Sequence, residues 1–143
     1  MALPVVVVDS LTVDLPPQGE RPHAVEDISL ELRANEILCV VGESGSGKTI
    51  LARSIMGLFP SPQVRASAGR VLLNGENLLA ASPARMREIR GTRVAMIFQE
   101  PMTALNPLYT VGNQVAEVLA VHDGLRPEAA RAKAIEMLAR TGI

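Results

Sequence analysis

From Val5 to Leu15 the chain is dominated by β-branched and aliphatic residues and stops at Pro16-Pro17. A run of this kind bounded by breakers predicts a strand entering a loop, and polar residues and breakers continue through Gln18-Gly19-Glu20-Arg21-Pro22. Between Ile28 and Leu32 apolar and polar positions alternate, with Ile28, Leu30 and Leu32 on one side. That period of two predicts a half-buried strand. Ala34-Asn35-Glu36 reads as a tight turn, and Ile37-Leu38-Cys39-Val40-Val41 follows as an unbroken apolar run. Such a run predicts a strand that needs both faces covered and neighbours on both edges. Helical spacing follows from Lys48 to Leu58, with Gly57 placed to end it. Arg70 to Leu73 and then Asn74-Gly75 predict a strand and a hairpin-type turn. Ser82-Pro83 predicts an N-cap and first helical position for a helix reaching about Ile89. Val94 to Phe98 predicts another buried strand, ended by Gln99. After Pro101 the period turns helical, predicting helices over Val111–Val121 and Glu128–Arg140, the second started by Pro127 and stopped at Gly142.

Between the apolar run and the first helix lies GESGSGKT, Gly42 to Thr49. It satisfies G-x-x-x-x-G-K-[ST] at each fixed position, in the strand–loop–helix context that gives the pattern its physical meaning. Gly42, Gly45 and Gly47 allow backbone conformations closed to other residues and a close approach to a ligand. Successive N–H groups of Glu43, Ser44, Gly45, Ser46 and Gly47 can then converge as an anion-binding nest, backed by the unpaired N–H groups of the helix start. Lys48 is placed to reach the β- and γ-phosphates of a nucleoside triphosphate, and the Thr49 hydroxyl to bind Mg²⁺. Glu43 is expected to turn its carboxylate outward, since an inward one would repel phosphate.

Composition narrows the picture. A chain of 143 residues with 48% apolar content fits one α/β domain. A net charge of −1 and only three aromatic residues, Phe59, Phe98 and Tyr109, argue against a nucleic-acid surface. Cys39 sits within an apolar run, so a buried thiol in a reducing cytoplasm is expected. MALPVVVVDS lacks a basic leader, and no window holds eighteen uninterrupted apolar residues; neither a signal peptide nor a membrane span is expected.

A second signal is FQEPMTALNP, Phe98 to Pro107. Gln99 follows a buried apolar run, at the carboxyl end of a strand where a nucleotide crevice opens. Its amide can both donate and accept, toward Mg²⁺ or an attacking water. With both motifs in place, the chain resembles the ATP-binding subunits of ABC transporters. VVGESGSGKT looks like their Walker A motif, and Gln99 in AMIFQEPMTALNP looks like their Q-loop glutamine. The wording of VEDISLELRANEILCVVGESGSGKT and FQEPMTALNPLYTVGNQVAEVL is closest to the dipeptide, oligopeptide and nickel uptake branch.

The resemblance implies a P-loop NTPase of the ABC nucleotide-binding type, present as its N-terminal part. Residues 1–106 would form the β-subdomain and phosphate-loop core, and residues 107–143 the start of the helical subdomain. It implies ATP and Mg²⁺ as cofactors, and Lys48 and Gln99 as catalytic residues. Thr49 and Gln99 would serve as metal-binding residues. The implied partners are permease subunits docking at Gln99–Leu108 and a second ATP-binding subunit, on the cytoplasmic face of the membrane. The family usually places an aromatic residue after its first strand to stack on adenine. The matching position here is Leu15, which offers apolar contact without the stacking. The 143 residues contain no LSGGQ-type signature, no Walker B aspartate with a following glutamate, and no switch histidine. Val5-Val6-Val7-Val8-Asp9 imitates Walker B, but it precedes the phosphate loop and is followed by Ser10. Nucleotide binding without turnover is therefore expected of these residues, within a full-length ATPase. A stand-alone regulatory module and a P-loop kinase or GTPase are the rival readings. Arg85, Arg87, Arg90 and Arg93 are expected on a solvated face, as are His23 and His122, and Met96 in a core.

Overall fold

The computed structural model describes residues 3–17, 21–99 and 105–143. The chain divides into two compact units, residues 1–90 and 91–143. The first is built on a four-stranded sheet of order β2-β1-β3-β4, comprising β1 (Pro4–Asp14), β2 (His23–Arg33), β3 (Arg65–Leu73) and β4 (Glu76–Asn77). Each neighbouring pair is antiparallel. β1 is central because its apolar residues find partners on both edges: Val8 faces Leu30 on β2 and Val71 on β3. Val8, Leu11, Val13 and Val71 are buried almost completely.

The register is not uniform. It shifts along β1 between Val8 and Leu11 against β2, and between Asp9 and Thr12 against β3. Ser10 takes a φ of 47° at this point, and its N–H donates to Ser29 Oγ at 2.9 Å. An extra residue in a strand leaves a backbone group unpaired, and here the serine side chain satisfies it. On the other side, a Cβ at Gly69 would fall 2.4 Å from the Ser10 carbonyl oxygen, so only glycine lets β3 pass the bulge.

Two helices complete the unit, α1 (Lys48–Ile55) and α2 (Pro83–Ile89), with a 3₁₀ turn at Leu78–Ala80. Ser82 caps α2 through its side chain, accepting from Arg85 N–H, and Pro83 occupies the first turn. α2 is tied to the end of α1 by Arg90, whose Nε and Nη2 donate to the carbonyls of Met56 and Gly57, each at 2.9 Å. Arg85 forms a two-pronged ion pair with Glu76, at 2.7 and 2.8 Å. Arg90 thus acts inside the fold, which corrects the expectation of a solvated face for it, while Arg85 is ion-paired with its side chain still 40% exposed. The second unit contains α3 (Val111–Asp123) and α4 (Pro127–Arg140). They share a small core of Leu119, Ala130 and Ala134. Thr110 caps α3 by accepting from Asn113 N–H, and Gly124 ends it in the left-handed conformation.

Two expected strands are absent among the described residues. Ile37–Val41 and Ala95–Phe98 are without regular structure, and Ile37, Val41 and Ile97 are 91%, 87% and 95% exposed. Cys39 is exposed as well, against the expectation of a buried thiol. The reason is common to all: a strand buried on two faces forms only where neighbours supply hydrogen bonds and apolar cover, and no described strand pairs with either run. Among the described residues no helix is long and apolar enough to cross a membrane.

Candidate functional site

The stretch Gly42–Thr49 lies in the first unit, between the extended run and the start of α1. Gly47 is the N-cap of α1, in the left-handed region at φ 94°, with no side chain closing the cap. A Cβ there would stand 2.2 Å from the Ala24 carbonyl oxygen. Glycine therefore serves twice: it permits the turn, and it lets the loop press against the beginning of β2. The loop is wrapped around one cation. Lys48 Nζ donates to the carbonyls of Gly42 (2.8 Å) and Glu43 (2.6 Å) and to Ser46 Oγ at 3.2 Å.

This geometry suits an anion. The first N–H groups of an α-helix have no intrahelical partner and carry a partial positive charge, and α1 has no acidic residue in its first turn. Lys48 holds its charge against neutral carbonyls, which phosphate oxygens can displace because charge-assisted hydrogen bonds are the stronger ones. Thr49 is exposed on the first turn of α1. Among the described residues no cluster of His, Cys, Asp and Glu could hold a metal by itself. A Mg²⁺ ion at the Thr49 hydroxyl would thus draw its remaining ligands from phosphate and water, as Mg²⁺ at nucleotide sites commonly does. The residues fit both groups.

Beside the loop opens a groove of about 210 Å³, lined by Leu15, Arg21, Ala24 and residues 45–50. Leu15 is held there by its N–H, which donates to the Pro22 carbonyl at 2.8 Å and closes the β1–β2 connection. Arg21 reaches the loop itself, its Nη2 donating to the Gly45 carbonyl at 2.8 Å. The structure thus brings Leu15 and residues 45–50 to one groove. It adds Arg21, which carried no signal in the sequence because it lies 24 residues from its partner in a breaker-rich connection.

Gln99 stands in the second unit and is exposed. Of the expected permease-facing stretch, Glu100 to Ala104 lie outside the described residues, Met102 among them; Leu105 and Leu108 are exposed. Asp9, the residue that imitates Walker B, pairs with Arg70 across β1 and β3, Arg70 Nε donating at 3.2 Å. His23, expected in solvent, is half-buried with Nδ1 2.9 Å from Asp14 Oδ1. Asp14 also accepts from Ser67 Oγ at 2.6 Å. That hydroxyl holds its carboxyl below the ordinary value of 3.8, against partial burial, with His23 and Arg65 adding to the effect.

Residues 25–143 match the family model described as ABC transporter. An uncharacterized ABC transporter ATP-binding protein of Escherichia coli (strain K12), YejF, is 46% identical over 143 residues, covering 100% of this chain and 27% of that protein. The dipeptide transport ATP-binding protein DppD of Bacillus subtilis (strain 168) is 42% identical over 139 residues, covering 97% of this chain and 42% of its own. The chain therefore spans less than half the length of these relatives. Among solved structures, the dimeric post-hydrolysis state of the ATP-binding cassette MJ0796 bound to ADP and Pi aligns with a TM-score of 0.77 at 23% identity. It covers 94% of this chain and 56% of that one. At that identity the likeness concerns the fold, which is that of an ABC nucleotide-binding domain.

Proposed function

Because the chain belongs to the ABC transporter family, we propose that it is the phosphate-binding part of an ATP-binding subunit that drives uptake of peptides or a related small solute. The observation that carries this reading is the loop Gly42–Thr49 curled around Lys48 at an uncapped helix start. The solute class rests on the relative named for dipeptide transport.

In this reading Lys48 exchanges the carbonyls of Gly42 and Glu43 for the β- and γ-phosphates of ATP, and the loop N–H groups donate to the same oxygens. Thr49 offers its hydroxyl to Mg²⁺, which neutralises charge across the phosphates. Leu15 covers the base with apolar surface. Gln99 acts toward the metal or the attacking water, and Gln99–Leu108 meets a permease subunit at the cytoplasmic face of the membrane. Residues 1–106 serve as β-subdomain and phosphate-loop core, and 107–143 open the helical subdomain. A second ATP-binding subunit closes over the nucleotide. Polarisation of water needs a general base, a role this reading assigns to none of the loop residues. By themselves these residues bind ATP without turning it over.

Titration of the chain with Mg-ATP tests the proposal. Micromolar to millimolar binding is expected, with phosphate release at background. Lys48→Ala should weaken binding by about tenfold or more, from the roughly 1.5–3 kcal/mol of hydrogen bonds to a charged group. Binding unchanged in Lys48→Ala, or turnover that depends on Lys48, would refute it.

A further inference from the structure

We infer that Arg21 is a nucleotide-binding residue that holds the nucleoside end of the ligand, its guanidinium lying against the base while Leu15 supplies the apolar wall. The inference rests on the ATP-binding reading above and names a residue and a role within that site.

Three observations carry it. Arg21 and Leu15 line the same groove as the loop residues 45–50. They are held near one another because Leu15 N–H bonds to the carbonyl of Pro22, the residue next to Arg21. Finally, Arg21 Nη2 donates to a carbonyl, that of Gly45. In a phosphate nest the N–H groups converge on the anion, and Arg21 holds a carbonyl of the loop that Lys48 does not use. Lys48 is bonded instead to Gly42, Glu43 and Ser46. The two cations therefore hold different carbonyls of the loop and both line the groove with Leu15 and Ala24, Lys48 from the start of α1 and Arg21 from the β1–β2 connection next to Leu15.

A guanidinium is planar, weakly hydrated for a cation and able to stack on an aromatic face while its edge still donates hydrogen bonds. Bonding to Gly45 through one nitrogen leaves that face available. Leu15 has no ring to offer, so among the described residues lining the groove the planar group beside it is the arginine. The Gly45 bond also restricts a long side chain before the ligand arrives, which lowers the ordering cost of binding.

The test compares Mg-ATP with inorganic tripolyphosphate, which carries the phosphates without base or ribose, on the chain and its variants. Arg21→Ala should weaken Mg-ATP by about 3- to 30-fold, the range of a partly desolvated cation–π contact, and leave tripolyphosphate within about twofold. Arg21→Lys should recover only part of the loss, and adding Leu15→Tyr to Arg21→Ala should recover most of it by restoring a stacking plane. Equal losses for both ligands would make Arg21 a phosphate ligand and overturn the inference. So would an Arg21→Ala affinity for Mg-ATP equal to that of the unaltered chain. In either case Lys48→Ala still losing both ligands would keep the ATP-binding reading intact. An unaltered chain that binds neither ligand would sink that reading, and this inference with it.

Discussion

β1 and the run Ile37–Val41 are the two most apolar stretches of the first unit, and they end in opposite conditions. β1 is paired on both edges and its Val8, Leu11 and Val13 are buried. The later run has no regular structure, and Ile37 and Val41 face solvent. Composition does not separate them, since both are rich in valine, leucine or isoleucine. Partners do. β2 and β3 both follow β1 in sequence and close on its two edges as antiparallel neighbours, β2 through the short connection that antiparallel pairing allows. A doubly buried strand in a parallel sheet needs neighbours brought from further along a chain by crossover connections. An apolar run therefore states what a segment requires, and the fold decides whether the requirement is met.

The largest effect expected from this contrast comes from the same substitution made in both places. Val71→Asp on β3 would bury a charge without a partner beside Val8, and should cost about 4 kcal/mol or more. Ile37→Asp, at an exposed position, should change stability by about 0.5 kcal/mol or less. Urea unfolding of both variants, followed by circular dichroism, measures the gap; comparable losses would mean that the run is packed in solution. Next in size is Gly47→Ala, which forces a Cβ to within 2.2 Å of the Ala24 carbonyl oxygen at a positive φ. It should cost about 1–3 kcal/mol, and weaken ATP by displacing the loop from β2. An affinity equal to that of the unaltered chain would show that the loop does not depend on this contact.

Hydrogen exchange resolves the contrast residue by residue. Amides of Val8 and Val13 should exchange near the rate of global unfolding, and those of Ile37–Val41 near the unstructured rate. Protection of the run would show that it has found a partner, within the chain or in another copy.

Much of the fold was legible because its signals are local. Ser82-Pro83 caps α2 as expected, and α4 opens on Pro127. The glycine-rich turn that opens α1 was legible for the same reason: Gly45 and Gly47 stand where the backbone takes positive φ. What escaped was set by distant partners. β3 begins at Arg65, six residues before its apolar part at Val71, because β1 pairs with the preceding stretch too. Arg90 is read as solvated from its charge, but carbonyls 33 and 34 residues away claim it. Arg21 is the same case at the site. Cys39 erred in the other direction: its apolar neighbours predicted burial that only an added strand could provide.

The smallest predicted effect lies at the end of the formed sheet, where acid should act and the bare run should be indifferent. Asp14 on β1 stands opposite His23 of β2 and Arg65 of β3, and accepts a hydrogen bond from Ser67 on β3. Because these contacts favour the ionised carboxyl and lower its pKa below 3.8, they stabilise the folded state above that value. The contribution fades as pH falls from 3.8 through the folded pKa, since the unfolded chain takes up the proton first. Ser67→Ala removes the leading cause, so Asp14 should titrate closer to 3.8, by carboxyl ¹³C chemical shift. The urea midpoint of this variant should approach that of the unaltered chain at low pH and fall below it at neutral pH. Exchange within Ile37–Val41, corrected for its intrinsic pH dependence, should stay constant over the same range. A fall in stability on acidification that is equal in Ser67→Ala would place the acid-sensitive group elsewhere in the sheet.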